Sequence, residues 1–85
     1  MHVVYVIYSE SHDQYYVGLT QDISHRAKEH NKGRVRSTKP YVPWELIHLE
    51  EFETLFEARK REKYLKSAAG RRWRKINIRP RSSTG

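Results

Sequence analysis

The sequence contains no cysteine, which excludes a disulfide-stapled scaffold and any metal site built on thiolates. Packing alone must therefore hold the core of this 85-residue chain, and small chains bury a smaller fraction of their surface than large ones. No apolar run approaches the length that crosses a bilayer, and the amino-terminal segment lacks the features of a secretion signal. We therefore expect one small cytoplasmic domain without membrane contact, as a monomer or a weak homodimer.

Acidic residues are also in short supply. Ten Asp and Glu face seventeen Lys and Arg, and the formal net charge is +7. An excess of positive charge favours an anionic partner, above all nucleic acid, whose phosphates release counterions when they are neutralised. Charge alone identifies no reaction, because basic proteins without a specific ligand share the same balance.

Three stretches rich in β-branched and aromatic residues predict strands, namely His2 to Tyr8, Gln14 to Leu19 and Trp44 to Phe52. The first two are separated by a short polar segment and are expected to pair as an antiparallel hairpin. The segment Lys32 to Pro43 is basic and rich in turn-forming residues, which predicts an exposed loop.

Helix-capping residues predict two longer helices. Asp22 is a suitable N-cap for a helix that runs to about Asn31, and Gly33 is placed to end it in a left-handed turn. Thr54 and Glu57 have the spacing of a capping box, which predicts a second helix from Leu55 to about Ala68.

The carboxyl-terminal part of the chain is expected to hold one short helix. Gly70 is predicted to break the preceding helix, and Arg71 to Ile78 to form a helix with Trp73 and Ile76 facing inward. The predicted fold is therefore an α/β (α+β) domain, residues 1–80, with a small, mostly antiparallel three-stranded sheet flanked by helices. Residues 81–85 are expected to be a disordered tail.

Glu62 is the most unusual acid in the pattern. It interrupts an apolar stripe at helical spacing formed by Leu55, Ala58, Leu65 and Ala69. A carboxylate on a core-facing stripe costs free energy unless it is paired, binds a metal or lies at the edge of the stripe. The sequence leaves two interpretations open, a metal ligand or a structural ion pair with Arg59, Lys66 or Arg26.

A series of short matches runs in order along almost the whole chain, from Val3 to Asn77: Val3-Val4-Tyr5, Tyr16-Val17-Gly18, Arg26, His30, Pro43-Trp44, Glu57-Ala58, Arg61-Glu62 and Leu65-Lys66. In this order they resemble the GIY-YIG nuclease superfamily, and within it the small single-domain bacterial members. They are also similar to the amino-terminal catalytic module of the excinuclease of nucleotide-excision repair. Each match is weak alone, and the ordered spacing carries the resemblance.

The first motif departs from the family pattern. Val3-Val4-Tyr5 has lost the glycine and the isoleucine, whereas Tyr16-Val17-Gly18 exchanges only the isoleucine for valine. Both phenols remain, and the added bulk of Val3 affects only the close backbone packing that the glycine would allow.

The resemblance implies roles for individual side chains. Tyr5 would help to remove a proton from the attacking water, with Tyr16 positioned beside it, and Arg26 would stabilise the charge of the transition state. His30 would contact the phosphate or the phenol. For both tyrosines, packing in the sheet is the alternative interpretation that the sequence leaves open.

Glu62 would bind one divalent cation, Mg²⁺ or Mn²⁺, through few protein ligands, while Gly18 and Asn77 would support the site. The remaining cations provide a surface for nucleic acid, with the expected contacts Lys32, Arg34, Arg36, Lys39, Arg71 and Arg72. The function so implied is metal-dependent endonuclease cleavage of DNA, rather than RNA, by in-line attack of water at a single-metal site, with a protein partner for targeting. The alternative is a nucleic-acid-binding module of the same fold that performs no chemistry.

Overall fold

A computed structural model describes residues 1–78, so the predicted domain end at residue 80 and the predicted tail at 81–85 lie outside the described residues. The elements are, in chain order, β1 (His2–Ser9), β2 (Gln14–Thr20), α1 (Ile23–Asn31), a 3-10 turn (Lys39–Tyr41), β3 (Glu45–Phe52), α2 (Leu55–Lys66) and α3 (Ala68–Asn77). Within residues 1–78, no helix combines the length and the apolar character that crossing a bilayer requires.

The sheet has the strand order β2-β1-β3, and both pairings are antiparallel. The predicted α+β fold with a three-stranded sheet is therefore confirmed. The central strand β1 is buried on both faces from Val3 to Ile7, which is why it reads as a continuous apolar run. A register shift between Val6 and Ile7 bends the pairing of β1 with β3.

Alternate residues of β1 enter two separate cores. Val4 and Val6 pack with Ala58 and Leu65 beneath α2 and α3. Tyr5 and Ile7 face the opposite side, where they pack with Trp44 and with the partly buried residues Tyr16, Ile23, Tyr41 and Val42. The second core therefore receives the tyrosines of both motifs, from β1 and from β2.

The predicted caps of α1 and α2 are confirmed. The Asp22 carboxylate accepts the backbone N–H of His25 at 3.1 Å, and Gly33 ends the helix region with a φ of 72°. The Thr54 hydroxyl accepts the N–H of Glu57 at 3.2 Å and donates to its carboxylate at 3.0 Å.

The prediction that Gly70 breaks the helix was wrong. Helix α2 ends at Lys66, and Ser67 caps both helices: its hydroxyl donates to the Tyr64 carbonyl at 2.6 Å and accepts the Gly70 N–H at 3.2 Å. Gly70 lies in the first turn of α3, where that turn crosses the end of α2. A Cβ at this position would overlap the Tyr64 carbonyl oxygen and lie 2.6 Å from the Leu65 Cα. The glycine is a close-contact residue between two helices and not a terminator.

The predicted inward face of α3 was half wrong. Trp73 packs against the core of Val4 and Val6, but Ile76 is 72% exposed. Arg74 takes the inward position instead, where its Nε donates to the Leu65 carbonyl of α2 at 3.1 Å. The predicted stripe on α2 is likewise shorter than expected, since Leu55 and Ala69 are exposed.

The basic loop 32–43 was predicted to be exposed, and most of it is exposed or partly exposed, but its centre is not. Thr38 is fully buried, and the 3-10 turn follows directly. Asn31 anchors the end of the loop, because its side-chain amide accepts the N–H of Trp44 at 2.6 Å and donates to its carbonyl at 3.0 Å. The loop is thus folded back onto the tyrosine side of the sheet.

We predict that Gly70→Ala destabilises the protein by about 1–3 kcal/mol, because the contact it would overfill consists of backbone atoms that cannot rotate away. Helix propensity alone predicts the opposite sign, a gain of up to about 1 kcal/mol. Urea unfolding followed by circular dichroism measures the difference, with Ala69→Gly as an exposed control expected to lose about 1 kcal/mol. A stabilised Gly70→Ala protein would contradict the packing of α2 against α3.

Candidate active site

The centre of the site is the side chain of Tyr5, which lies across the neighbouring strand over Gly18. The two residues are paired in the register of β1 and β2. A Cβ on Gly18 would overlap the phenol ring and its oxygen, so the absence of a side chain at residue 18 is what leaves room for the ring. The glycine of the second motif thus has a direct spatial reason.

Tyr5 begins a buried chain of hydrogen bonds. Its Oη lies 2.7 Å from Nε2 of His30, and Nδ1 of the same imidazole lies 2.7 Å from Oγ1 of Thr38. The Thr38 hydroxyl in turn donates to the carbonyl of Val35 at 3.3 Å. Because that hydroxyl gives its proton to a carbonyl, it accepts from Nδ1–H, which leaves Nε2 as the acceptor for the phenol.

Burial sets the protonation state of both partners. It lowers the pKa of His30 to about 4, with a further lowering by the charge of Arg26. Burial also raises the pKa of Tyr5, against an opposing effect of the Arg26 guanidinium. At neutral pH the pair is therefore a protonated phenol and a neutral imidazole.

Tyr16 forms the partly exposed wall of this cluster. Its ring centroid lies 6.4 Å from that of Tyr5 and 5.1 Å from the imidazole of His30, both in tilted or edge-on arrangements. Trp44 lies 6.4 Å from Tyr16 on the other side, and its indole N–H donates to the Thr38 carbonyl at 2.9 Å. The aromatic packing therefore also fixes the loop segment that supports His30.

Arg26 and His30 lie one turn apart on α1, as their spacing predicts. The guanidinium is partly exposed, and its charge adds to the lowering of the His30 pKa and opposes the rise in the Tyr5 pKa that burial causes. A planar cation beside a phenol and open to solvent is well suited to a phosphate group.

Glu62 forms an ion pair with Lys66, which is one of the two interpretations that the sequence left open. Its Oε2 lies 3.0 Å from the Lys66 ammonium one turn later, and its side chain is only 18% exposed. The same carboxylate is close enough to Tyr5 for its charge to contribute to the raised pKa of the phenol. The pairing places one carboxylate oxygen on Lys66 and leaves Oε1 available as a ligand atom.

The donor set decides which metal the site would suit. Within residues 1–78, no three side chains of His, Cys, Asp or Glu gather closely enough to share a cation. A zinc-like site of several protein ligands is therefore a poor match for this part of the chain. One carboxylate fits the habit of Mg²⁺ or Mn²⁺, which retain waters and take the remaining ligands from substrate phosphate.

Other predicted site residues are not brought to the cluster. The Asn77 amide donates to the Trp73 carbonyl within its own helix at 2.9 Å. The Arg34 guanidinium lies 3.7 Å from the carboxylate of Glu29. The remaining predicted nucleic-acid contacts are exposed side chains on the loop and at the start of α3, namely Lys32, Arg36, Lys39, Arg71 and Arg72.

Thr38 is the site residue that sequence reasoning missed. It supports the imidazole through a hydrogen bond across eight residues, inside a segment that reads as an ordinary basic loop. A single threonine between Ser37 and Lys39 carries no periodic or capping signal, so nothing in the sequence distinguishes it.

Comparisons with known proteins identify the family of this chain. Residues 1–77 match the family model of the GIY-YIG catalytic domain. The UPF0213 protein lwe0147 of Listeria welshimeri is 44% identical over 62 residues, which cover 72% of this chain and 68% of that protein. A UPF0213 protein of Halobacterium salinarum is 42% identical over 67 residues, which cover 78% of this chain and 86% of that protein.

The fold has a counterpart among solved structures. The solution NMR structure of the UPF0213 protein BH0048 from Bacillus halodurans superposes with a TM-score of 0.54 at 26% sequence identity, over 88% of this chain and 80% of that one. It supports the same α+β arrangement. From its sequence match over residues 1–77 and its three-stranded fold, the chain belongs to the GIY-YIG family and to the UPF0213 proteins within it.

Proposed function

We propose that this protein is a metal-dependent endonuclease that hydrolyses phosphodiester bonds in DNA by in-line attack of water at a single-metal site. The observation that carries the proposal is the buried Tyr5–His30–Thr38 chain, which has Arg26 and Glu62 beside it. The hydrogen bond to His30 fixes the phenol proton on Nε2, which leaves the lone pairs of Oη to accept a proton from water.

The proton route follows from the protonation states. Neutral His30 accepts the proton of Tyr5 at Nε2, while Tyr5 accepts a proton from the attacking water at Oη. Thr38 holds Nδ1–H and so keeps the accepting lone pair on Nε2. Burial opposes both a free phenolate and a protonated imidazole, so the two transfers are coupled, and the proton taken up by His30 returns through Tyr5 to the leaving oxygen.

Arg26 and Glu62 complete the site with opposite charges. Arg26 stabilises the additional negative charge on the phosphorus-bound oxygens in the transition state. Glu62 would hold Mg²⁺ or Mn²⁺ through the oxygen that Lys66 leaves open, and Lys66 orients that carboxylate. When bound, such a cation supplies charge neutralisation at the phosphate and a position for water.

The remaining features of the proposal concern substrate and setting. The excess of cations suits DNA, and a small nuclease of this kind would act on structured DNA in repair or recombination, with a protein partner for targeting. We further propose a cytoplasmic location and a monomer or a weak homodimer. The second candidate function is a nucleic-acid-binding module without catalysis, which the exposed cations would equally serve.

We predict that Arg26→Ala lowers plasmid nicking in Mg²⁺ by about 10²–10³-fold and that Glu62→Gln abolishes it, while DNA binding is largely retained. Lys63→Gln, which removes an exposed charge from the same helix as Glu62, serves as the control and should cut normally. Supercoiled plasmid with and without Mg²⁺ is the substrate. Undiminished cutting by either site variant would refute the assignment, and a wild type that binds DNA without cutting it would favour the binding module.

We predict that Thr38→Val lowers kcat by about 10-fold or more and leaves KM unchanged, because the buried Nδ1–H loses its acceptor and the tautomer that serves Tyr5 is no longer favoured. Thr38→Ser keeps the hydroxyl and should restore most of the rate. Steady-state cleavage of a labelled oligonucleotide separates the two parameters. Equal rates for Val and Ser would show that the hydroxyl has no part in the proton route.

The lowered pKa of His30 predicts a dependence of stability on pH. The imidazole titrates near 6.5 in the unfolded chain and at about 4 in the folded protein, so the unfolded state binds more protons between these values. The corresponding stability is complete above pH 6.5 and is lost as the pH falls to about 4, with a total of about 3 kcal/mol. Urea unfolding of the wild type and His30→Gln across this range should show the difference, and His25→Gln should retain the wild-type slope.

A further inference from the structure

A cleft between β2 and α3 adjoins the catalytic cluster. Two neighbouring cavities, of about 330 and 290 Å³, share the residues Tyr15, Arg71 and Arg74. The larger also contacts Asp13, Gln14 and Lys75, and the smaller contacts Tyr16, Val17 and Lys66. We call the surface formed by Tyr15, Lys66, Arg71, Arg74 and Lys75 the basic cleft.

Arg74 is the unusual residue of this surface. Its side chain is only 8% exposed, its Nε donates to the Leu65 carbonyl at 3.1 Å, and its guanidinium carbon lies 5.2 Å from the centroid of the Tyr15 ring. No carboxylate within residues 1–78 lies in ion-pair range of it. Burying a cation in this way costs free energy that an anion would recover.

A second cation increases that cost. Arg71 lies nearly one turn before Arg74 on α3 and lines the same cavities. The pKa of Arg74 is lowered, chiefly by burial and then by the charge of Arg71. The two guanidinium groups line the same cavities and repel each other. A phosphate between them would relieve that repulsion, because its oxygens can accept hydrogen bonds from both groups.

We propose that the basic cleft is a phosphate-binding site that holds a backbone phosphate of the nucleic acid next to the one that is cleaved. Anion binding by Arg71 and Arg74 requires nothing of the catalytic proposal, whereas the position of this phosphate relative to the cleaved bond rests on it. The link between the two places is geometric: Lys66 and Tyr16 line the cleft, Lys66 pairs with Glu62, and Tyr16 lies beside His30.

The far end of the cleft limits how much backbone it accepts. Asp13 lines that end, where its carboxylate accepts the Tyr8 hydroxyl at 2.9 Å. A carboxylate fixed in this place repels a further phosphate, so the cleft holds the one phosphate and not a long strand. Recognition here is of the sugar-phosphate chain and carries no base sequence.

The test measures binding without cleavage. Fluorescence anisotropy of a labelled single-stranded and a labelled duplex oligonucleotide is recorded in EDTA for the wild type, Arg71→Gln and the double variant Arg71→Gln, Lys75→Gln. We expect affinity to fall about 3–10-fold for Arg71→Gln and further for the double variant, and the slope of log K against log salt to decrease in magnitude by about 1 per lost contact. Lys63→Gln, exposed on α2 and outside the cleft, is the matched charge control and should show a smaller loss.

Arg74→Lys tests the buried cation directly. It retains the charge but loses the planar fork and should weaken binding, and its melting temperature and circular dichroism show whether it still folds. If Arg74→Lys does not fold, the variants at the exposed residues Arg71 and Lys75 still test the proposal. Unchanged affinity and salt slope in Arg71→Gln and the double variant, or an equal loss in Lys63→Gln, would overturn the cleft as a specific site.

The two proposals fail in different ways. A wild type that never cuts, yet loses affinity on Arg71→Gln, would remove the nuclease assignment and keep the phosphate site. A wild type that cuts, with cleft variants that bind normally, would keep the nuclease assignment and remove the phosphate site. Inorganic phosphate is the second probe: if it stabilises the wild type against heat at millimolar concentration while oligonucleotides do not bind, the occupant is a free phosphate and the nucleic-acid proposal is overturned.

Discussion

The buried hydrogen bond between Tyr5 and His30 is the constraint on which this side of the molecule depends. Buried polar groups need partners, and each further contact supplies one. Gly18 leaves room for the phenol, Thr38 satisfies the second imidazole nitrogen, and Trp44 holds the carbonyl of Thr38. Helix α1, the loop after it and the start of β3 are therefore joined to the sheet through one polar network and not through apolar packing alone.

The same burial gives the network its chemical character. An imidazole exposed to water would be partly protonated near neutral pH, and a cationic His30 could not accept a proton from Tyr5. Removal from water, with the charge of Arg26 nearby, keeps it neutral. The cation of Arg26 and the carboxylate of Glu62 flank the pair without being part of it, so charges of both signs lie beside a neutral phenol and a neutral imidazole.

Local patterns in the sequence predicted the local structure well. The caps at Asp22 and Thr54 depend on residues a few positions apart, and the motif tyrosines lie on strands that their content of β-branched and aromatic residues identifies. Contacts between distant segments were not predictable. Thr38 meets His30 only because the loop folds back, and Gly70 was misread because its neighbours belong to another helix. The family resemblance grouped Tyr5, Tyr16 and His30, which lie together in the structure, but also Asn77, which does not join them.

The fold also changes the interpretation of the basic residues. The loop 32–43 reads as a free basic arm, yet its centre is occupied in supporting His30, and Arg34 lies toward Glu29. Helix α3 shows the opposite change: an apolar residue was expected on its inner face, and a guanidinium is found there. A guanidinium is rarely buried in a protein interior without a carboxylate or another anion to balance its charge. Since residues 1–78 supply none within ion-pair range, the anion site that we propose lies on α3, although the loop is the more conspicuous basic segment in the sequence.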